Sequence, residues 1–147
     1  VKQHFSKEVT VNKKDFEQLL KNKLKLEMIK YEMDEMSYKS IVGSQEITGM
    51  PFVGGTSDKV GDYVARLTTL EDKYISLMLL NDRLLRRAKL FIREIPDNTI
   101  QSILYLKYIG GHDNLDIADT LGVRGPHREQ TIKKTINTFF LDCLLYL

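Results

Sequence analysis

Between residues 124 and 134 the sequence R-G-P-H-R-E-Q-T-I-K-K sets Arg124, Arg128, Lys133 and Lys134 against Glu129, the only acid in the segment. These residue types suit the surface of a DNA duplex. Cations bind phosphates, while Arg and Gln make paired hydrogen bonds to base edges in the major groove. If the segment is helical, Arg128, Gln130, Lys133 and Lys134 are expected to face a groove, with Thr131 and Ile132 nearer the core or the DNA backbone. Arg124 and His127 stand at the entry to that helix and complete the candidate set. The competing reading is a solvated basic face on a helix that only packs. A second basic run, Arg83, Arg86, Arg87, Lys89 and Arg93, places Arg83 with Arg87 and Arg86 with Arg93 on shared faces. It suits either a neighbouring phosphate backbone or the charged flank of a coiled coil.

Other chemistry finds little support. His4, His112 and His127 have no Cys or carboxylate at metal-ligand spacing, and no nucleophile motif is present. No catalytic residue, metal, cofactor or small-molecule substrate is therefore expected. Gly54-Gly55 precede Ser57-Asp58 at what reads as a helix start, but neither GxGxxG nor GK[ST] occurs, so a connector is the better reading of this glycine-rich stretch.

The elements around the basic segment follow from turn and cap chemistry. One short helix is expected over roughly Thr99 to Ile109, closing on Gly110-Gly111. A second runs from about Asn114 to Leu121 and stops at Gly122; a third starts near His127. Asp97 or Asn98, and Asp113 or Asn114, are N-cap candidates, and Gly122 suits the left-handed position that ends a helix. Ile117, Ala118 and Leu121 give the middle helix an apolar face with a small residue at its centre, where another helix can cross closely. Thr138 to Leu147 is almost entirely apolar and is read as core packing, with a subunit or polymerase contact as the alternative.

Upstream, Val60, Leu67, Tyr74, Asn81, Ala88 and Ile95 recur every seven residues, as do Tyr63, Leu70, Leu77, Leu84 and Phe91 offset by three. This is an a/d seam. At about 1.5 Å per residue, residues 57 to 95 form a rod of roughly 58 Å that ends before Pro96. Val64, Met78, Leu85 and Ile92 widen the stripe, which implies more than one neighbour. An earlier helix, from Asn12–Asp15 to about Tyr38, carries Leu26, Ile29, Met33 and Met36 at helical spacing. It is expected to fold back on the rod as an antiparallel hairpin. Lys21, Lys23, Lys25 and Lys30 with Glu27, Glu32, Asp34 and Glu35 form its solvated face. Being shorter, this helix leaves part of the seam for a second subunit, with Leu70, Tyr74, Leu77, Asn81 and Leu84 as the dimer contact. Asn81, the one strongly polar seam position, is expected to fix register and partner number, so Asn81→Leu should raise thermal stability and change the oligomer.

The chain has 147 residues, 42% apolar and 29% charged, with a net charge of +2. These are globular values, and near-neutrality does not by itself announce a nucleic-acid binder. Residues 97 to 147 hold five Lys or Arg against six Asp or Glu, so the uneven placement of charge carries the DNA reading, not its total. The single cysteine, Cys143, excludes an internal disulfide and fits a reducing cytoplasm as a small apolar residue. No signal peptide and no apolar run long enough for a bilayer are read in it.

The stretch L-D-I-A-D-T-L-G-V followed by T-I-K-K resembles the helix-turn-helix of bacterial sigma factor region 4. With G-M-P, a glycine pair and Ser-Asp at residues 49 to 58, the chain resembles phage late-gene transcriptional regulators of the ArpU/RinA type. The family passes from L-G-V almost directly into its recognition helix, whereas here Arg124-Gly125-Pro126-His127 intervene. The resemblance implies a cytoplasmic DNA-binding regulator in a bacterial host, activating late or packaging genes, with RNA polymerase as a partner. The fold class expected is all-α: a flexible stretch over 1–14, a coiled-coil-like hairpin over 15–96 with a Gly/Pro loop at 40–56, and a helix-turn-helix unit over 97–147. Two further readings stay open, a DNA-packaging protein of small-terminase type and a protein-only helical adaptor.

Overall fold

In the computed structural model, residues 10–43 and 59–145 are described, and every regular element among them is helical. The chain is all-α. Two long helices, α1 (Lys13–Gly43) and α2 (Lys59–Glu94), precede three shorter ones, α3 (Asn98–Leu104), α4 (Asn114–Thr120) and α5 (Arg128–Leu145). The chain folds into two compact units, one joining residues 10–22 to residues 81–145, the other made from residues 23–80.

In the first unit, α1 starts on a reciprocal cap. Asn12 Oδ1 accepts from the Asp15 N–H at 2.9 Å, and Asp15 Oδ2 accepts from the Asn12 N–H at 3.1 Å. Val11 just before the cap and Phe16 just after it are 2% and 0% exposed, the positions of a hydrophobic staple. Residues 11–14 are thus anchored, a correction to the loose stretch expected over 1–14; residues 1–9 lie outside the described residues. Phe16 sits among rings from three other elements, with centroids 5.8 Å from Phe91, 5.1 Å from Tyr108 and 5.5 Å from Phe140. Each such pair adds about 0.5–1.5 kcal/mol beyond area burial. This cluster overturns the expected boundary at residue 97: the start of α1 and the end of α2 share one core with the C-terminal helices.

Pro96 stops α2 as its sequence requires. Gln101 then covers the open end, its Nε2 donating to the carbonyls of Ile95 at 2.6 Å and Arg93 at 3.3 Å. Asp97 caps α3 by accepting from the N–H groups of Thr99 and Ile100. The helix continues as one π turn, Tyr105–Ile109, closed by the Gly110 N–H on the Tyr105 carbonyl at 2.9 Å. A Cβ at Gly110 would come within 2.8 Å of the Leu106 carbonyl oxygen, which accounts for glycine there.

The seam residue Asn81 meets α1 of its own chain. Asn22, 3% exposed, donates through Nδ2 to Asn81 Oδ1 at 3.2 Å and accepts from Gln18 Nε2 at 2.7 Å. The polar seam position is therefore satisfied without a second subunit, which corrects the role in fixing partner number given to Asn81.

The second unit has two helical segments. Leu26, Ile29, Met33 and Met36 on α1 are half-buried, as are Leu67, Leu70, Tyr74 and Leu77 on α2. Glu32 and Met36 face Ala65, Arg66, Thr69 and Leu70 across a shallow groove of about 460 Å³. Among the described residues of this unit, other apolar side chains are exposed: Leu24, Met28 and Tyr31 on α1, and Val60, Val64, Ile75, Met78, Leu79 and Leu80 on α2. The lysines and acids between residues 21 and 35 are exposed, as their spacing predicts. Residues 44–56 of the Gly/Pro loop and the helix start read at Ser57-Asp58 fall outside the described residues, α1 running on through Gly43. Among the described residues, no helix is long and apolar enough to cross a membrane.

Candidate nucleic-acid interface

The basic segment is positioned from below by α4. Asp113 caps that helix, its Oδ1 accepting from the Asp116 N–H at 2.8 Å. Ile117 and Ala118 are 0% exposed, and α4 packs on α5. The helix ends in a Schellman turn: the Val123 N–H donates to the Ala118 carbonyl at 2.9 Å, and the Gly122 N–H to the Asp119 carbonyl at 3.2 Å. Gly122 has φ +75°, the left-handed value read from its position in the sequence. Leu121 to His127 then connect the helices, with Gly125 at φ +112° giving a second reversal. The inserted Arg124-Gly125-Pro126-His127 therefore lengthens the connection and leaves α5 to begin at Arg128.

On α5, Ile132, Ile136, Phe139 and Phe140 point into the core. Gln130, Thr131, Lys133 and Lys134 are exposed, as are Arg124 and His127 before the helix. No ion pair among the described residues involves Lys133 or Lys134. Arg128 departs from this set. Its Nε donates to Asp119 Oδ1 at 2.7 Å and its Nη1 to the Gly125 carbonyl at 3.2 Å, so it braces α5 against α4 and the turn. Its charge is met by an acid of its own chain, a correction to its expected place beside Gln130 on the groove face. Thr131 is exposed, not turned toward the core, and its Oγ1 donates to the His127 carbonyl at 3.1 Å.

The acids that lowered the charge of this region are partly committed. Asp113 is a cap and Asp119 holds Arg128, leaving Asp116 as the exposed acid of α4 without such a side-chain bond.

The second basic run is divided by its contacts. Arg87 donates through Nη2 to the Thr10 carbonyl at 3.0 Å and holds the segment before α1. Arg86 lies 3.4 Å from Asp82, one turn away. Arg83 is exposed, and Arg93 borders a cleft of about 450 Å³ with Tyr105, Thr120 and Leu121, beside the end of α4. The run is not one continuous cationic face.

Of the residues assigned to a dimer seam, Leu84 packs against the core of its own unit, and Asn81 is paired with Asn22. Leu70, Tyr74 and Leu77 are half-buried within a single chain. Val60, at the start of the seven-residue repeat, is 76% exposed, and further apolar residues open to a partner lie off the repeat. At the C-terminus, Phe139 and Phe140 are buried while Leu141 and Leu144 are 62% and 64% exposed, so core packing takes only one side of this apolar stretch. Cys143 is half-buried, and burial followed by Asp142 pushes its thiol up from the ordinary value.

Two cations missed by sequence reasoning lie near α5. Lys107, on the π turn, donates through Nζ to Asn114 Oδ1 at 2.6 Å. Lys13, at the first turn of α1, donates to Asn137 Oδ1 on α5 at 2.8 Å. Burial and then the charge of Lys13 hold the Lys107 ammonium below its ordinary range, with Asp113 opposing and Lys133 adding to the effect. Lys107 stands apart from any charge run, Lys13 is one of an ordinary Lys13-Lys14-Asp15 run, and the Lys13–Asn137 contact joins residues 124 positions apart. No local pattern marks them.

Among the described residues no group of His, Cys, Asp and Glu could hold a metal ion. No protein-family model, curated protein or solved structure matches the chain.

Proposed function

We propose that the chain binds double-stranded DNA as a transcriptional regulator, inserting the outer face of α5 into the major groove. The observation that carries this reading is the division of α5 into two sides. One side is fixed in the core by Ile132, Ile136, Phe139 and Phe140, while the other presents Gln130, Lys133 and Lys134 to solvent. Lysines held on a rigid helix, in no ion pair among the described residues, are available to phosphates, and the nearby glutamine can read adenine. Arg128 serves as a positioning residue in this scheme, because its bond to Asp119 sets α5 on α4.

The resemblance to ArpU/RinA-type regulators adds the biological setting: late or packaging genes of a phage, host RNA polymerase as partner, and activation as the outcome. A homodimer belongs to the proposal, now through the uncovered apolar residues of α1 and α2, Val60 among them, instead of the stretch from Leu70 to Leu84 of the seam. Exposed patches of this kind mark protein contacts. A solution mass of a dimer agrees with this, whereas a many-membered ring would favour the small-terminase alternative.

The test is the salt dependence of duplex binding by Lys133→Ala/Lys134→Ala. Loss of two phosphate contacts lowers the slope of log affinity against log salt by about 1.8. An unchanged slope and affinity would show that α5 does not approach the duplex and would leave the protein-only adaptor.

A further inference from the structure

We infer that the exposed side of α1 is the centre of the homodimer, where it packs antiparallel on the same helix of a second copy. This rests on the homodimer in the reading above and names its surface and its polarity.

The contact row is defined by spacing and exposure together. Leu24, Met28, Tyr31 and Tyr38 are 61%, 63%, 71% and 69% exposed, and they follow one another at intervals of four, three and seven residues. With Glu35 in the one gap, the row keeps a mean step of about 3.5 residues, the narrow seam of a helix that packs on one other helix. At about 3.6 residues per turn it lies across the helix from Leu26, Ile29, Met33 and Met36, which are half-buried. In this unit α1 thus carries apolar residues on two opposite sides, and the second side is open. Single exposed apolar residues are ordinary, whereas a row of them along one helix marks a contact.

Charge selects the occupant. Residues 23–30 carry Lys23, Lys25 and Lys30 against Glu27, a net of +2, while residues 31–38 carry Glu32, Asp34 and Glu35 without a cation, a net of −3. These seven residues are exposed. Lys39 meets Glu35 at 3.2 Å, and counting it still leaves the second half at −2. A parallel pair would set like halves side by side. An antiparallel pair sets each basic half on an acidic half, and two-fold symmetry repeats the match. The apolar spacing fits the same operator. Leu24 and Tyr38 each lie seven residues from Tyr31, so an axis near Tyr31 brings Leu24 of each copy to Tyr38 of the other. A phosphate backbone or an anionic membrane would be repelled by the acidic half, and a partner helix of one sign would match only one half. A second copy matches both.

The experiment uses the full chain with Cys143→Ser as background, so that introduced thiols are the only ones. Sedimentation equilibrium of this background and of the wild type should give a dimer. Met28→Glu/Tyr31→Glu, at side chains exposed in the single chain, should keep the helical circular dichroism. It should raise the dimer Kd by at least about tenfold, because one new charge faces the acidic half of the other copy and the second faces itself. Polarity is read from disulfides. Leu24→Cys alone and Tyr38→Cys alone should stay uncrosslinked on oxidation, since like positions lie roughly 21 Å apart along the axis, beyond disulfide reach. An equimolar mixture of the two should form the crossed dimer. Cross-linking of Leu24→Cys with itself would show a parallel pair and overturn the proposal. So would a mixture without crossed dimer, or a dimer unaffected by Met28→Glu/Tyr31→Glu, which would place the contact on another surface. A wild-type mass other than a dimer overturns this inference together with the homodimer. The DNA reading is judged apart from these outcomes, by the salt slope of Lys133→Ala/Lys134→Ala on α5.

Discussion

Replacing Asn81 by Leu distinguishes a hairpin seam from a dimer seam. Asn22 is 3% exposed, and its Nδ2 has Asn81 Oδ1 as acceptor, while its own oxygen is used by Gln18. Among the described residues no buried side-chain polar atom lacks a partner. Asn81→Leu would create one, at a cost of about 1–3 kcal/mol for the stranded amide. The new leucine, at a half-buried position, returns roughly half of the 1.5–3 kcal/mol for full burial of such a side chain. The expected net effect is a loss of about 1 kcal/mol, or roughly 2–4 °C in melting temperature for a chain of this size. Replacing both residues, Asn22→Leu/Asn81→Leu, removes the stranded group and should recover that loss. A double-mutant cycle followed by urea denaturation should thus show coupling of about 1–2 kcal/mol. Sedimentation of Asn81→Leu should give the wild-type mass. Stabilisation by the single variant with no coupling to Asn22, or a changed subunit number, would refute the intrachain pairing.

Phe16→Ala should cost about 3–5 kcal/mol, because a fully buried ring shared by α1, α2, the π turn and α5 leaves a cavity. A urea midpoint close to wild type would show that α1 does not share the C-terminal core. Gly122→Ala should cost about 1–2 kcal/mol from backbone conformation alone, since φ is +75° and no atom lies within 4 Å of an added Cβ. Gly122→Asn should cost less, and equal melting temperatures for Ala and Asn would argue against the left-handed cap. Burial, with Glu17 second, pushes the Tyr108 hydroxyl up from 10.0 to about 12. Its folded value is the higher one, so the stability it contributes is full below pH 10 and is lost as pH rises toward 12. Lys107, lowered from 10.5, contributes the opposite slope, so the comparison must be between wild type and Tyr108→Phe. Tyr108→Phe should flatten the alkaline loss in denaturant midpoints, and an unchanged profile would place the cause elsewhere.

Much of the fold could be read locally. Caps at Asp97 and Asp113, the stop before Pro96 and the left-handed Gly122 each depend on a few consecutive residues, whose dihedral preferences and hydrogen-bonding groups act without the rest of the chain. The seven-residue repeat likewise marks the long helix and, from Tyr63 onward, its half-buried to buried side, while Val60 at its start is exposed. The basic segment after Pro126 was legible as a helix start, and the outward placement of Gln130, Lys133 and Lys134 followed from the apolar spacing of Ile132, Ile136 and Phe139.

Periodicity could not name the neighbour of each buried face. An a/d seam accepts any complementary helix, so only the structure shows Asn81 meeting Asn22 in its own chain. Charge type could not reveal which cations are already committed. Arg128 is taken by Asp119 and Arg87 by the Thr10 carbonyl, whereas Lys13 and Lys107, inconspicuous in sequence, are held to α5 by Asn137 and to α4 by Asn114 respectively. Backbone propensity and hydrophobic pattern are local quantities, and they determined the helices and their apolar sides. Pairing across long sequence separations depends on which surfaces meet when the core closes around Phe16, and that was decided only by the tertiary structure.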